Sequence, residues 1–343
     1  MKPPSFWYDP TPHPLTKLLK PFSKCFSSAA SFRPLLSKIK EVPIPVICCG
    51  NLTIGGSGKT PISMDLAKSL ISKNFRPHFL TRGYGRRKHY SSTPILTLSP
   101  QDHPIENWKL FGDEPCLLSK ISPCWIDSNR KKCAKYAYQN GANILILDDG
   151  FQYPFLKKDL NLLLFNGEYG IGNGFSLPAG PLREDLTVAA KRTDFAIIVG
   201  EDKCNLSAEL KRHEITPIHV EFNIHSEILR KFSHQKVYAF AGIAFPECFF
   251  KMLRQHGLKL FKTFSFSDHH IYTPEEISKF FEISKKIPLL TTAKDAVKFP
   301  REVRNNFHII EINVKWSSLN EKEKLLQSCL KNYNERMKKN YNA

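Results

Sequence analysis

Thr53 to Thr60 reads TIGGSGKT and sits between an apolar run and a helix-like run. Glycines 55, 56 and 58 let successive backbone N–H groups turn toward one point and surround phosphate oxygens. The helix that follows directs its positive end at the same point. Lys59 can neutralise β- and γ-phosphates, and the Thr60 hydroxyl can ligate Mg²⁺. The candidate nucleotide contacts are therefore Thr53, Ile54, Gly55, Gly56, Ser57, Gly58, Lys59 and Thr60. The general string G-x-x-x-x-G-K-[ST] has Gly where this chain has Thr53; the rest, and the strand-loop-helix setting, are intact. Asn143 to Asp149 (NILILDD) supplies the second half of such a site. An apolar strand ends there in two carboxylates, and Asp148 or Asp149 can hold the metal or its water. No Asn-Lys-x-Asp string is present to read guanine; Thr292 to Asp295 (TAKD) misplaces its Lys. ATP is favoured over GTP.

Four further strings carry groups able to do chemistry. Gly112 to Pro115 (GDEP) puts Asp113 and Glu114 before a helix start. Acids there stabilise a helix N-terminus, or one of them takes a proton from an attacking hydroxyl. Asp268, His269 and His270 lie together in a loop, where a His can pair with a carboxylate. Thr81 to Arg87 (TRGYGRR) is a cationic turn, either solvated or contacting phosphate. Gly172 to Glu184 (GNGFSLPAGPLRE) is long and rich in Gly and Pro. A loop of that length suits substrate binding, with Asn173 and Arg183 as its polar contacts; Arg183 could instead pair with Glu184 or Asp185.

These groups need a scaffold, and the chain alternates strand-like with helix-like runs. Strands are expected at 43–50, 78–80, 143–147, 160–165 and 195–199, with helices at 60–72 and 130–140. That alternation predicts an α/β fold with a parallel sheet and helices on both faces. A further unit is expected from about residue 223, with strands at 237–241, 289–291 and 308–314 and helices at 246–256, 274–285 and 319–337. Thr273, Pro274 and Glu276 mark a helix start as N-cap, first position and third position. The expected segments are 1–40, 41–222 and 223–343.

The 343 residues carry a net charge of +18. That excess points to an anionic partner. No zinc finger or aromatic RNA-binding motif is present, so anionic lipid or a phosphorylated substrate stands ahead of nucleic acid. The nine Cys are scattered and form no C-x-x-C pair, which argues against a disulfide framework and a zinc ribbon and for a reducing cytosolic setting. No run approaches the ~20 apolar residues needed to cross a bilayer, and the N-terminus does not read as a secretory signal. Residues 6–40 mix Phe6, Trp7, Tyr8, Leu15, Leu18, Leu19, Phe22, Phe26, Phe32, Leu35 and Leu36 with Lys17, Lys20, Lys24, Arg33, Lys38 and Lys40. Such a mixture suits a segment lying in an anionic membrane interface; the other reading is a helix packed on the protein's own core and broken near Pro21.

Taken together, the strings resemble those of the tetraacyldisaccharide 4′-kinase (lipid A 4′-kinase) family of Gram-negative bacteria. They are GNLTIGGSGKTP, TRGYGRR, GDEP, LDDGFQ, GNGFSLPAGPLRE, AFAGIAFPECFF, FSDHH and TTAKDAVKF, in the family's order. The phosphate loop is generic, whereas LPAGPLRE and DDGFQ are much more specific. Thr53 is no departure within this family; Tyr153 stands where it often has His.

The resemblance implies a P-loop NTPase-like α/β/α sandwich with a second, smaller α/β domain and an active site in the cleft between them. It implies transfer of the ATP γ-phosphate to the 4′-hydroxyl of tetraacyldisaccharide 1-phosphate, Mg²⁺ dependence, and peripheral attachment to the cytoplasmic face of the inner membrane. It points to Asp113 as base assisted by His269, with Glu114 serving the metal or orienting Asp113. Gln152, Asn173 and Arg183 would grip the disaccharide. Two readings compete with it: a P-loop kinase or ligase acting on a soluble small molecule, and a non-catalytic nucleotide-dependent switch.

Overall fold

The computed structural model describes residues 3–9, 13–32, 39–84, 94–97 and 108–341. Arg33, Leu35, Leu36 and Lys38, and Gly85, Arg86 and Arg87 of the cationic turn, lie outside the described residues. Numbered in chain order, the strands are β1 (Val46–Asn51), β2 (Pro77–Thr81), β3 (Ile95–Thr97), β4 (Cys124–Ile126), β5 (Ile144–Asp148), β6 (Leu160–Asn166), β7 (Phe195–Val199), β8 (Thr216–Ile224), β9 (Lys236–Ala241), β10 (Lys259–Ser265), β11 (Leu289–Thr292), β12 (His308–Ile310) and β13 (Ile312–Trp316).

The chain divides into two compact units, each built from separate stretches. The larger holds Pro3–Arg82, Asp127–Glu221 and Val314–Ala343; the smaller holds Gly83–Ile126 and Phe222–Asn313. This differs from the contiguous segments expected at 41–222 and 223–343. The GDEP stretch groups with the later residues, because its short helix Asp113–Leu118 packs beside the turn after β11. The last helix, Leu319–Tyr341, returns to the larger unit.

In the larger unit the sheet order is β13-β8-β7-β6-β1-β5-β2. β1 pairs in parallel with β5 and β6, and β7 pairs in parallel with β6 and β8. Every residue of β1, VICCGN, is buried. A strand covered on both faces needs a continuous apolar run instead of an alternating one. The helix Lys59–Ile71 follows β1 and buries Ile62, Leu66 and Leu70, a spacing that keeps one apolar stripe on the core. Each such buried side chain contributes about 1.5–3 kcal/mol relative to exposure.

The last helix is fastened to β1 and β6 by a buried charge. Arg336 places Nε 2.7 Å from Asp159 Oδ1 and Nη2 3.0 Å from Oδ2, and its guanidinium also donates to the carbonyls of Val42 and Ile44. Asp159 in turn accepts the N–H of Val46, the first residue of β1.

The smaller unit carries a sheet of order β10-β9-β11-β12, with its pairings parallel, and an antiparallel pair β3–β4. Its core centres on Phe240, stacked on Phe280 at 4.4 Å between ring centroids and met edge-on by Phe299, Phe307 and Tyr272. The helix Pro274–Ser284 starts with the reciprocal Thr273–Glu276 capping box read from the sequence. One expected strand, 308–314, is two: β12 pairs with β11, and the chain turns at Glu311 into β13 beside β8. The strand β10 is half-exposed along its length, so it lacked the apolar run that would have marked it.

The N-terminal segment is a helix, Pro14–Phe32, that continues through Pro21. Its body-facing positions Thr16 and Ser23 are buried, and Ser23 Oγ donates to the Ser176 carbonyl at 2.7 Å. Leu15, Leu18, Phe22 and Phe26 are exposed, so the apolar stripe points away from the unit it packs on. Phe6, Trp7 and Tyr8 divide differently from the expectation. Trp7 is buried with Nε1 donating to Pro178 O, and Tyr8 Oη donates to Ile54 O at 3.0 Å. Those two rings serve the protein's own loops, not a lipid surface.

Candidate active site

The phosphate loop leaves β1 and enters the helix Lys59–Ile71 through Gly58, whose φ of +78° is costly for any residue with a side chain. Thr53 forms an antiparallel bridge with Leu182, and Ile54 donates its N–H to Pro181 O at 2.8 Å. The first two residues of the expected nucleotide set are thus laced to the LPAGPLRE loop. Ile54 also accepts at its carbonyl from Tyr8, so neither of its backbone groups is left for a phosphate. This explains Thr at position 53: the backbone there is extended and needs no glycine. The turn inward starts at Gly55, with φ of +125°. Asn51 Nδ2 braces it from beneath, donating to the carbonyls of Thr53 and Gly55 at 2.7 and 3.2 Å.

Two buried polar atoms in this loop, Ser57 Oγ and Asn51 Oδ1, have no hydrogen-bond partner. An orphaned buried hydroxyl costs free energy unless a ligand satisfies it. Ser57, in the middle of a phosphate loop, fits a phosphate oxygen as its missing partner.

Asp148 ends β5 beneath the loop and is 1% exposed. It accepts from Thr60 Oγ1 at 3.2 Å and from Ser63 Oγ at 3.1 Å. Ser63 was missed in the sequence; its position one helical turn after Thr60 was the available signal. A hydroxyl and a carboxylate in contact are hard oxygen ligands of the kind Mg²⁺ takes. Among the described residues no group of three His, Cys, Asp or Glu could hold a metal ion. Mg²⁺ needs none, since it keeps several waters and relies on one or two carboxylates plus substrate phosphates. The residues present therefore fit that ion.

Asp149 turns away from Asp148 through a left-handed backbone, φ +56°. Its carboxylate receives Arg183 Nη1 at 3.0 and 3.2 Å and lies 3.8 Å from Lys59 Nζ. Partial burial works to raise its pKa, but Lys59 and Arg183 outweigh that and hold it ionised below the ordinary range. Arg183 also donates to Gln152 Oε1 at 3.3 Å, and Gln152 Nε2 donates to Asn51 O and Glu184 Oε1. Arg183 pairs with Asp149, not with Glu184 or Asp185. Glu184 binds Arg192, and Asp185 caps the helix Leu186–Ala190. Gln152 and Arg183 thus meet around Asp149, while Asn173 does not join them. Its amide donates to Ala179 O at 2.9 Å and accepts from Phe175 N at 3.2 Å, which holds its own loop closed.

The smaller unit carries the acid–histidine pair. Gly112, with φ of +97°, lets the chain turn into Asp113, whose side chain is 3% exposed. His269 Nδ1 lies 2.9 Å from Asp113 Oδ2 and 3.1 Å from Oδ1. Burial alone would raise the Asp113 pKa, but the His269 hydrogen bond and the charges of Lys294 and Lys298 hold it well below the usual carboxylate range. An ionised carboxylate can only accept, so Nδ1 of His269 carries a proton, and the Lys294 ammonium 3.3 Å from Nε2 favours a lone pair on that nitrogen. Tyr84 lies against the imidazole at 4.9 Å between centroids. His269 also has a left-handed backbone, φ +56°, the kind of local strain that gathers at functional sites.

Glu114 belongs to this group of the smaller unit. Its Oε1 accepts from Lys294 Nζ at 3.1 Å, and Lys294 also reaches Asp268 at 3.4 Å and His269 Nε2 at 3.3 Å. Burial works against the Lys294 charge, yet Glu114, Asp113 and Asp268 keep it protonated. Lys294, Asp295 and Lys298 were not singled out in the sequence. The signal was present in TTAKDAVKF, where Lys, Asp and Lys fall at i, i+1 and i+4 just past a strand end.

The chain matches the family model described as tetraacyldisaccharide-1-P 4′-kinase (LpxK) over residues 15–332. The chain belongs to the tetraacyldisaccharide 4′-kinase family. A tetraacyldisaccharide 4′-kinase of Gluconobacter oxydans is 38% identical over 327 residues, covering 95% of this chain and 97% of that relative. One from Rhodospirillum centenum is 35% identical over 335 residues, covering 96% and 97%. Among solved structures, LpxK from Aquifex aeolicus, determined in complex with ATP, has a TM-score of 0.72 and 29% identity, covering 92% of this chain and 99% of that one. The fold is that of this P-loop kinase family, and the chain carries a smaller α/β unit as well as the phosphate-loop unit.

Proposed function

We propose that this member of the tetraacyldisaccharide 4′-kinase family transfers the γ-phosphate of ATP to the 4′-hydroxyl of tetraacyldisaccharide 1-phosphate. The observation that carries the reading is the Asp148 carboxylate bonded to Thr60 and Ser63 beneath a phosphate loop. The amides of Gly55 to Thr60 and the Ser57 hydroxyl bind the phosphates, and Lys59 neutralises their growing charge. Thr60 and Asp148 would hold Mg²⁺, which would supply further neutralisation of the phosphate oxygens. Asp149 sets Lys59 and Arg183, and Arg183 with Gln152 binds the anionic or hydroxylated part of the acceptor.

His269 takes the proton of the attacking 4′-hydroxyl at Nε2, with Lys294 withdrawing from that nitrogen. Asp113 accepts the Nδ1 hydrogen bond and stabilises the imidazolium that forms. This reverses the emphasis expected from the sequence, where Asp113 was the base and His269 its helper. A carboxylate held so far below its usual range is a weak base, and its accepted Nδ1 hydrogen bond makes the imidazole the group that meets the hydroxyl.

The enzyme works at the cytoplasmic face of the inner membrane as a peripheral protein. Among the described residues no helix is long and apolar enough to cross a membrane. The exposed Leu15, Leu18, Phe22 and Phe26 stripe, flanked by Lys17, Lys20 and Lys24, instead suits a helix lying in an anionic lipid interface. There it would meet the acyl chains of the acceptor.

The test is transfer of label from γ-labelled ATP to tetraacyldisaccharide 1-phosphate in mixed micelles, with Lys59→Ala as control. Labelled lipid from wild type alone is expected. ATP hydrolysis without labelled lipid would overturn the acceptor assignment.

A further inference from the structure

Beneath the Asp113–His269 pair lies a charge that no nucleotide-binding or acceptor-binding role explains. Lys298 Nζ is 3.6 Å from Asp113 Oδ2 and 3.1 Å from Asp295 Oδ1, and its side chain is 1% exposed. A buried ammonium is strongly unfavourable unless paired and hydrogen-bonded. Here it is shared by two carboxylates that are themselves 3% and 0% exposed.

Asp295 is fixed by several donors. Gly242 N–H reaches Oδ2 at 2.9 Å, Thr292 Oγ1 reaches Oδ2 at 2.7 Å, and Tyr272 Oη reaches Oδ1 at 3.0 Å. Gly242 has no room for a side chain, because a Cβ there would stand 2.9 Å from Asp295 Oδ1. Asp295 is therefore held by three donors, and it anchors Lys298. Lys298 in turn approaches Oδ2 of Asp113, the same oxygen that lies 2.9 Å from His269 Nδ1.

We propose that Lys298, anchored by Asp295, is a positioning residue that aims the Asp113 carboxylate at His269. The inference rests on the reading of Asp113 and His269 as the proton-accepting pair. The charged and titratable neighbours are few. His269 and Asp268 face Asp113 from the loop after β10, Lys294 and Lys298 from the segment after β11, and Glu114 and Cys116 share its own short helix. Among them Lys298 alone contacts both Asp113 and the hydrogen-bonded Asp295. Lys294 binds the outer groups Glu114 and Asp268. Losing the Lys298 ammonium frees the Asp113 carboxylate to rotate, and a misplacement of about 1 Å can slow a reaction about 100-fold.

The experiment compares Lys298→Met, Lys298→Arg and the double variant Asp295→Asn/Lys298→Met in the full-length protein. Turnover is measured per folded enzyme, with KM for ATP and for the lipid acceptor. The double variant removes both buried charges together, so it folds without an unpaired carboxylate. The expected result is a fall in kcat of about 10- to 100-fold in Lys298→Met and in the double variant, with KM changed less than about twofold. Lys298→Arg should recover most of kcat. Wild-type kcat per folded molecule in the double variant overturns the proposal, as does a change confined to KM. Asp113→Asn separates the two levels of the argument. If it retains full turnover, the reading of the pair fails; if it is slow while the double variant is not, only the role of Lys298 fails.

Discussion

Asp113 and His269 meet at 2.9 Å between Oδ2 and Nδ1 although 156 positions separate them in the chain. The contact sets the tautomer of the imidazole and leaves Nε2 as the basic nitrogen. General-base catalysis of this kind is worth about 10²–10⁴-fold. His269→Ala should lower kcat by that order with little change in KM for ATP. Steady-state kinetics on the lipid acceptor checks this, and an unchanged kcat would remove His269 from the mechanism.

Phosphoryl transfer has a loose transition state, so positioning and charge neutralisation matter more than proton removal. Lys59→Ala should therefore reduce turnover more than Asp113→Ala. Single-turnover rates at saturating ATP give the ordering directly; equal or reversed losses contradict it.

Thr60 and Asp148 touch each other where Mg²⁺ is proposed to bind. Thr60→Val and Asp148→Asn should each raise the Mg²⁺ concentration needed for half-maximal activity. Removing a single charge-bearing ligand should cost the larger shift, so Asp148→Asn should be the worse of the two. A Mg²⁺ titration at fixed ATP that overlays wild type for both variants would exclude them from the metal site.

His78 is buried in β2, and burial together with Arg76 pulls its pKa down to about 4. The unfolded chain binds that proton near pH 6.5. Above pH 6.5 the group is neutral in both states and contributes nothing. As pH falls from 6.5 toward 4, the unfolded state binds the proton and the folded state does not, so stability declines, by on the order of 3 kcal/mol. Urea midpoints at pH 7 and pH 4.5 should separate widely for wild type and less for His78→Gln. Equal separations would refute the assignment.

The exposed stripe of the helix Pro14–Phe32 gives a prediction about lipid. Leu18→Glu with Phe22→Glu should reduce sedimentation with anionic phospholipid vesicles and slow turnover of dispersed acceptor. Both residues are exposed, 67% and 63%, so the melting temperature should not move. Undiminished sedimentation would show that this stripe is not the lipid contact.

Much of this was legible in the chain. The phosphate loop, the strand ending in Asp148 and Asp149, and the capped helix at Thr273 each combine a local pattern with a local function, and short-range spacing exposes them. What escaped was decided by distant residues. Trp7 and Tyr8 look interfacial because aromatic residues suit lipid and protein interiors alike; only the carbonyls of Pro178 and Ile54, far along the chain, show which they serve. Asn173 reads as a ligand contact until Ala179 and Phe175 occupy its amide. The unit break near residue 222 was legible from spacing, but the joining of residues 83–126 to 222–313 was not, because the contacts that make it lie more than a hundred positions apart in the chain.

Arg336 bears on how the protein is made. Its partner Asp159 is synthesised 177 residues earlier. At roughly 5–20 residues per second, the ribosome takes about ten to thirty-five seconds to supply the missing cation. Until then the sheet that carries the phosphate loop holds a carboxylate with no counter-charge at the entry of its central strand. The nucleotide-binding unit of this protein therefore closes only when Val314–Ala343 joins it, and not in a simple N-to-C order. The pairing of Arg336 with Asp159 is thus a late event in synthesis, and the entry of the central strand gains its counter-charge only after most of the sheet has been made.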